Sequence, residues 1–333
     1  MRKIYLFIVL LFVGGTNLLA QQDALFTKYM FNSLTFNPAY AGSKDHLTMN
    51  LIHRTQWTGI DGAPSTQSLI IHTPLPNERV GVGLSLINDE IGPVNSIRAN
   101  LSYAYRIPVG KGRLSIGLQG GIMNWRADFN KLNLEQTGGD EAFEELTPSH
   151  LLPNFGAGIY YFTSKFYVGF ASPQLIEYDL RDNQINTPIW ARQQRHYFLS
   201  AGAAIPIKGD ALVFKPSILV KNVGLLSRFS KDVAFQDFGA PTEFDIDLSL
   251  FFQQALWVGV SFRSAIEGIV GDDSSIDSAD IWAAYYLANG LRIGAAYDYT
   301  LSKLQDVSGG SFELMLGYEF DYKTKQVVTP RYF

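Results

Sequence analysis

Residues Ser96–Ile107, SIRANLSYAYRI, alternate apolar and polar without a break. One face carries Ile97, Ala99, Leu101, Tyr103, Tyr105 and Ile107, and the other Arg98, Asn100, Ser102, Ala104 and Arg106. Successive side chains of a strand point to opposite faces, so only a strand uses a two-residue period to part grease from water. A strand tilted by about 45° crosses a bilayer with roughly 9–11 residues, and this one is long enough. Its tyrosines lie toward one end, where the aromatic girdle of a membrane barrel sits.

The pattern recurs along the chain of 333 residues. The expected strands are Leu47–Trp57, Ser65–Thr73, Arg79–Asn88, Ser96–Ile107, Arg113–Trp125, Asn154–Phe162 and Lys165–Ser172. Arg195–Ile205, Leu212–Lys221, Glu243–Phe252, Leu256–Arg263, Ile281–Leu287, Leu291–Thr300 and Ser311–Phe320 follow. That makes about 14, an even number, as a closed antiparallel barrel with both termini in the periplasm requires. From Thr73 onward tight links (Pro74–Glu78, Pro108–Gly112, Thr163–Ser164, Pro206–Ala211, Gln253–Ala255, Ala288–Gly290) alternate with longer ones. The longer links are Thr58–Pro64, Asp89–Asn95, Arg126–Pro153, Pro173–Gln194, Asn222–Thr242, Ser264–Asp280 and Leu301–Gly310. Short turns at one end and long loops at the other mark an outer-membrane barrel. A soluble β-sandwich also alternates, but it explains neither the strand length nor the loop asymmetry.

Arg2 and Lys3, the apolar run Ile4–Val13 and the small residues before Gln21 predict a signal peptide over 1–20, cut between Ala20 and Gln21. Beyond Ala20 no apolar run is long enough for a transmembrane helix, so a membrane protein of this sequence must be a barrel. The chain has no Cys, which removes disulfides and thiolate metal sites, and its net charge of −4 gives no reason to expect nucleic acid. His46, His53, His72, His150 and His196 form no HxxxH or HxH pair, and no GxSxG elbow or P-loop occurs. His53 reads as an interfacial residue and His72 as a turn-end residue. The acidic run Gly271–Asp280 does not match an EF-hand and reads as a solvated loop. No catalytic residue, metal site or cofactor is expected.

In a barrel the mixed face lines the lumen, and its candidate charges are Arg98, Arg106, Asp245, Asp247, Arg292, Asp298, Glu313 and Glu319, with Arg54, Lys215, Lys221 and Arg263 on the same parity. Fourteen strands about 4.8 Å apart and tilted by ~40° enclose a backbone radius of roughly 14 Å. Wall side chains do not fill that space, and inward Gly81, Gly83, Gly117, Gly121, Gly156 and Gly158 leave more of it. The aromatic segment Gln21–Asp45, broken at Asn37-Pro38 and Ala41-Gly42, is expected to pack into the lumen or across the periplasmic mouth. On this reading Leu101→Arg or Tyr103→Arg costs about 2–4 kcal/mol by facing lipid, and Ser102→Arg, facing the lumen, is tolerated far better.

The segment QQDALFTKYMFNSLTFNPAYAGS resembles the N-terminal signature of the PorP/SprF family of the type IX secretion and gliding machinery of Bacteroidota. Its matching residues are Gln22, Asp23, Phe26, Tyr29, Met30, Asn32, Asn37, Pro38, Ala39, Tyr40, Ala41 and Gly42. QWTGIDGAPSTQSL, GVGLSLINDEIGP, LRIGAAYDYT and the terminal Pro330, Arg331, Tyr332 and Phe333 agree in order. Ala24 and Ser33 stand where the family often has proline. The resemblance implies a non-enzymatic outer-membrane barrel that is not itself the export pore. Implied partners are a secreted or surface-anchored cargo protein with a type B C-terminal domain, the periplasmic lipoprotein ring and outer-membrane lipid. The expected organisation is a leader (1–20), a periplasmic N-terminal segment (21–45), a barrel (46–322) and a periplasmic tail (323–333). A small-solute channel is the alternative.

Overall fold

In the computed structural model the described residues are 26–44, 46–128, 147–179, 192–225, 240–266 and 276–320. Fourteen long strands make one antiparallel sheet. They are β1 Thr48–Thr55, β2 Ser65–Pro74, β3 Val80–Ile91, β4 Val94–Val109, β5 Gly112–Ala127, β6 Ser149–Phe162 and β7 Phe166–Ser172. The second half is β8 His196–Ala203, β9 Leu212–Val223, β10 Ala240–Phe252, β11 Leu256–Ala265, β12 Ile276–Tyr286, β13 Leu291–Thr300 and β14 Ser311–Glu319. Every strand pairs with its chain neighbours, and Ile205–Pro206 adds a short piece against β9 after β8. β14 returns to β1, with Thr48 opposite Glu319 and Thr55 opposite Phe312. Closure removes the unpaired edges that an open sheet exposes.

The two-residue rhythm decides which side faces out. In β4, Leu101 is 68% exposed and Ser102 only 5%. Leu51, Ile97, Leu118, Phe155, Ile281 and Leu314 continue the apolar exterior round the sheet. An apolar surface on this scale is stable only where something apolar covers it. Among the described residues no helix is long and apolar enough to cross a membrane, so the crossing falls to the strands. β4 and β5, at 16 residues each, exceed the roughly 9–11 that a span requires.

All fourteen expected strands are present, and several reach further than the apolar pattern. Asp89–Asn95 is not a long loop: β3 runs to Ile91, β4 starts at Val94, and Gly92 at φ +54° makes the turn with Pro93. β6 begins at Ser149, and β12 at Ile276, which puts Asp277–Asp280 in a strand instead of a solvated loop. In each case the added stretch includes polar residues that the apolar pattern does not mark as strand: Asp89 and Glu90, Ser149 and His150, Asp277 and Asp280. The other acidic loop residues, Glu135, Asp140, Glu141, Glu144, Glu145, Asp182, Asp272 and Asp273, lie outside the described residues, as do 1–25 and 321–333.

Residues 26–44 occupy the interior as three single-turn 3-10 helices, Tyr29–Phe31, Ser33–Thr35 and Pro38–Tyr40. Asn37 starts the third by accepting from the Ala39 N–H at 3.0 Å, with Pro38 at its first position, where a missing N–H is harmless. Leu34, Ala39 and Ala41 have no exposed surface. A filled interior also removes the spare room expected beside Ser102, whose cross-strand neighbours are Gly83 and Gln119.

Leu101→Arg is expected to lower unfolding stability in lipid vesicles by about 2–4 kcal/mol, because it places a charge near the bilayer midplane. Leu101→Phe should change it little. Urea midpoints for the two variants check this, and equal losses would overturn the outward assignment.

Candidate functional site

The first half of the plug is held by charge. Five carboxylates, Asp245, Asp247, Asp280, Asp298 and Glu313, converge from β10, β12, β13 and β14. Among them stand Lys28 of the plug, Arg54 of β1 and Arg263 of β11, all buried. Lys28 Nζ donates to Ser261 Oγ at 2.6 Å and lies 3.6 Å from Asp247 and 3.9 Å from Asp280. Glu313 accepts from two backbone N–H groups, Thr27 at 2.8 Å and Lys28 at 3.0 Å. Asp298 accepts from the Thr27 hydroxyl at 2.6 Å and pairs with Arg54 at 2.6 Å. Arg263 pairs with Asp245 at 2.7 Å and also donates to the Phe26 carbonyl at 3.2 Å. Charges taken from water persist only when paired and hydrogen-bonded, so plug and wall depend on each other here.

Aromatic rings fix the next turn. Phe31 lies edge-on to Trp257 at 4.9 Å and Trp282 at 5.7 Å, with the Arg292 guanidinium 4.4 Å from its ring centre. The Trp282 indole N–H donates to Asp247 at 2.7 Å, which joins this cluster to the ionic one. Lys215 Nζ sits 3.6 Å over the Trp257 ring, within the reach of a cation–π contact. The Tyr29 hydroxyl lies 2.8 Å from Ser217 Oγ, and Asn32 donates to Ser68 at 3.0 Å.

The second half docks by shape. Asn37, Pro38 and Ala39 lie so close to the wall that a Cβ on Gly117 would fall on the Ala39 and Pro38 backbone, and one on Gly158 on the Asn37 side chain. A Cβ on Gly81 would meet the Ala41 carbonyl. Gly81, Gly83, Gly117 and Gly158 are thus a groove cut to the plug, and not added empty volume, whereas a Cβ on Gly121 would meet Asn100 and one on Gly156 would meet Pro173. Ser115 donates to the Ala39 carbonyl at 2.7 Å, and Asn37 Nδ2 to the Ile159 carbonyl at 3.1 Å. Gly42, at φ +66°, turns the chain toward β1; its N–H meets His72 Nδ1 at 3.3 Å and its carbonyl accepts from Arg106. His72, two residues from the end of β2, is also a buried plug contact packed on Tyr40.

The plug runs along the barrel. Phe26–Lys28 contact residues near the strand ends that carry the long links (Arg54, Arg263, Asp298, Glu313), and Gly42 contacts residues near the short turns (His72, Gly81, Arg106). Above it lies a vestibule of about 550 Å³ bounded by Phe26, Tyr29 and Phe36, and below it a recess of about 50 Å³ bounded by Phe31, Tyr40 and Lys44.

Each expected lumen charge is placed. Arg106, Asp245, Asp247, Asp298 and Glu313 join the plug network; Arg292 bonds Asn50 and pairs with Glu319 at 3.7 Å, and Glu319 lies 3.2 Å from His46. Arg98 is apart from the plug, at the vestibule, with a guanidinium N–H toward Met123 Sδ at 3.5 Å. Met30 packs on the aromatic clusters. Ala20, Gln21, Gln22, Asp23, Pro330, Arg331, Tyr332 and Phe333 lie outside the described residues. Sequence reasoning passed over Lys28, the one charge in Phe26–Gly42, and Asp280, hidden in an apparent loop. Among the described residues no group of His, Cys, Asp and Glu could hold a metal ion.

The family described as type IX secretion system membrane protein PorP/SprF matches residues 18–318. A search of the curated proteins finds no match. Among solved structures, the CymD monoaromatic hydrocarbon channel aligns over 92% of this chain and 96% of its own at 12% identity and TM-score 0.49. The Acinetobacter baumannii outer membrane protein Omp33 aligns over 84% and 100% at 9% identity and TM-score 0.46. The Ralstonia pickettii toluene transporter TbuX aligns over 85% and 91% at 10% identity and TM-score 0.46.

Gly117→Val should expel the second half of the plug, because the new side chain occupies the Ala39 backbone position. Planar-bilayer conductance is expected to rise at least severalfold over the parent, and an unchanged trace would refute the groove. Lys28→Met should act on the first half, since removing one partner of a buried pair costs about 3–5 kcal/mol. Its measure is a fall in the urea midpoint that Lys28→Arg largely avoids.

Proposed function

The chain belongs to the PorP/SprF family of type IX secretion system membrane proteins, and from that premise we propose that it is a non-enzymatic platform in the outer membrane, not the export conduit. On this reading it assists the secretion or surface anchoring of a cargo protein with a type B C-terminal domain and touches the periplasmic ring of the machine. The observation that carries the reading is the filled lumen. A plug joined to the wall by buried ion pairs, and seated without room for a methyl group on several glycines, leaves the rims and vestibule as working surfaces.

The rims differ in charge. At the short turns Arg79, Lys111, Lys165 and Lys208 are exposed, while Arg113 pairs with Glu78 at 3.0 Å. A basic rim suits acidic periplasmic partners. The long links, rich in acidic and aromatic residues in the sequence, are assigned to cargo outside the cell.

Deleting the gene is expected to move particular surface proteins into the medium or abolish their export, read by comparing surface and medium proteomes. Normal proteomes together with solute flux through the purified barrel in liposomes would replace this reading with the small-solute channel.

A further inference from the structure

On the consecutive strands β1 to β6 the outward face changes chemistry in the same way toward the long links. The last outward aliphatic residues are Leu51, Leu69, Leu86, Ile97, Ile122 and Leu151. The next outward positions are His53, Gln67, Asn88, Asn95, Asn124 and Ser149. Across the barrel β10, β11, β13 and β14 carry Phe244, Phe262, Tyr299 and Phe312 toward the same end, the aromatic girdle that a membrane barrel shows at its interface. The polar side chains are joined from strand to strand. Gln67 Nε2 donates to Ser65 Oγ at 2.9 Å and lies 3.3 Å from His53 Nδ1, and His53 Nε2 lies 3.2 Å from Thr55 Oγ1. Asn88 Nδ2 donates to Gln67 Oε1 at 2.6 Å, Asn95 Nδ2 to Asn88 Oδ1 at 3.0 Å, and Ser149 Oγ to Asn124 Oδ1 at 3.1 Å.

A carboxamide holds two donor hydrogens and an oxygen that accepts twice, and Asn88 uses one of each within the row. The row is therefore an ordered series of outward donors and acceptors with capacity to spare. Glu90 and Arg126 flank Asn95 across the strands, one charge of each sign, so the collar selects no ionic head. A saccharide answers such a row, because each of its hydroxyl groups both donates and accepts. What lies beside the collar narrows the occupant further. It continues the apolar belt on the same face of the same strands, and that belt touches the hydrocarbon of the bilayer. A molecule that is hydrocarbon beside Leu86 and rich in hydroxyl groups beside Asn88 is a glycolipid, and the long links mark the outer leaflet. We propose that the outward face of β1–β6 seats the saccharide head of an outer-leaflet glycolipid, with its acyl chains along Leu69, Leu86 and Ile97. The site follows from the barrel's place in the outer membrane and is independent of the platform role.

The test is native mass spectrometry of the full chain in detergent, titrated separately with purified lipopolysaccharide, phosphatidylethanolamine and phosphatidylglycerol. Lipopolysaccharide is expected to bind saturably and at least tenfold more tightly than either phospholipid. Gln67→Leu combined with Asn88→Leu, which prolongs the apolar belt, should remove most of that preference. Asn88→Ser alone, which keeps a small polar group on an exposed face, should cut it at least threefold while the barrel keeps its heat-dependent gel shift; it decides the matter if the double variant fails to fold. Tyr299→Leu on the aromatic side should leave the preference unchanged. Equal retention of the three lipids, a preference that survives Asn88→Ser, or one that Tyr299→Leu lowers as much would overturn the proposal. So would a protein that copurifies with the parent and is lost from Asn88→Ser when no lipid preference is seen, which would make the collar a protein contact instead.

Discussion

A closed sheet of this circumference cannot fill its own interior, and the rest of the structure follows from that shortfall. Fourteen staves hold the walls about 28 Å apart by backbone geometry, and the longest side chains do not meet across such a gap. Water in the space would solvate the lumen charges and leave an open pore. Here the chain fills it with its own residues 26–44, and the charges that would face water face Phe26, Thr27 and Lys28 instead.

The two halves of the wall meet the plug by different physics. β10–β14 with β1 supply carboxylates, guanidinium groups and indoles, and hold Phe26–Phe31 through ion pairs and ring contacts. β3, β5 and β6 supply glycines, and hold Pro38–Gly42 by backbone fit. The ionic half supplies specificity, since an unpaired charge there is heavily penalised; the glycine half supplies close packing with no side chain to reorder. Arg106 and His72 lie where the plug leaves the groove, and both bond Gly42, the residue whose positive φ redirects the chain.

Period two made the fold legible, because a lipid-facing position tolerates little but an apolar residue, and Leu101, Tyr103 and Leu118 announce it. Strand ends were less legible. Asp89, Ser149 and Asp277–Asp280 are strand residues whose polarity looks like loop, because the ladder extends past the apolar belt. The glycines at 81, 117 and 158 were seen but misread: a position without a side chain says that space is needed, not who occupies it. Lys28 carried a signal that was available, a lone cation in an apolar turn of a segment expected to face a wall with inward carboxylates. The vestibule was out of reach, since its lining is gathered from the plug and from residues far apart in sequence, such as Gln56, Trp125, Phe198 and Arg263.

Plug and closure are also coupled in order of events. Thr27 bonds Glu313 across 286 positions of sequence, so the first described residues and the last strand complete each other. The plug enters at the long-link end, leaves at the short-turn end and continues directly into β1, which is paired on one side by β14. Inserting it into a finished barrel would mean threading a segment bearing three buried helical turns through a closed ring, a route that protein chains avoid. Pairing β14 with β1 before the plug is in place would leave Asp298 and Glu313 facing a water-filled lumen without the bonds from Thr27 and Lys28. Both difficulties vanish if β1 and β14 meet around a plug already seated on its glycine groove, and the ion pairs form as the last seam shuts. Asp298 and Glu313 beside the closing seam then have a physical role: they accept from Thr27 and Lys28 only in a barrel closed around its plug.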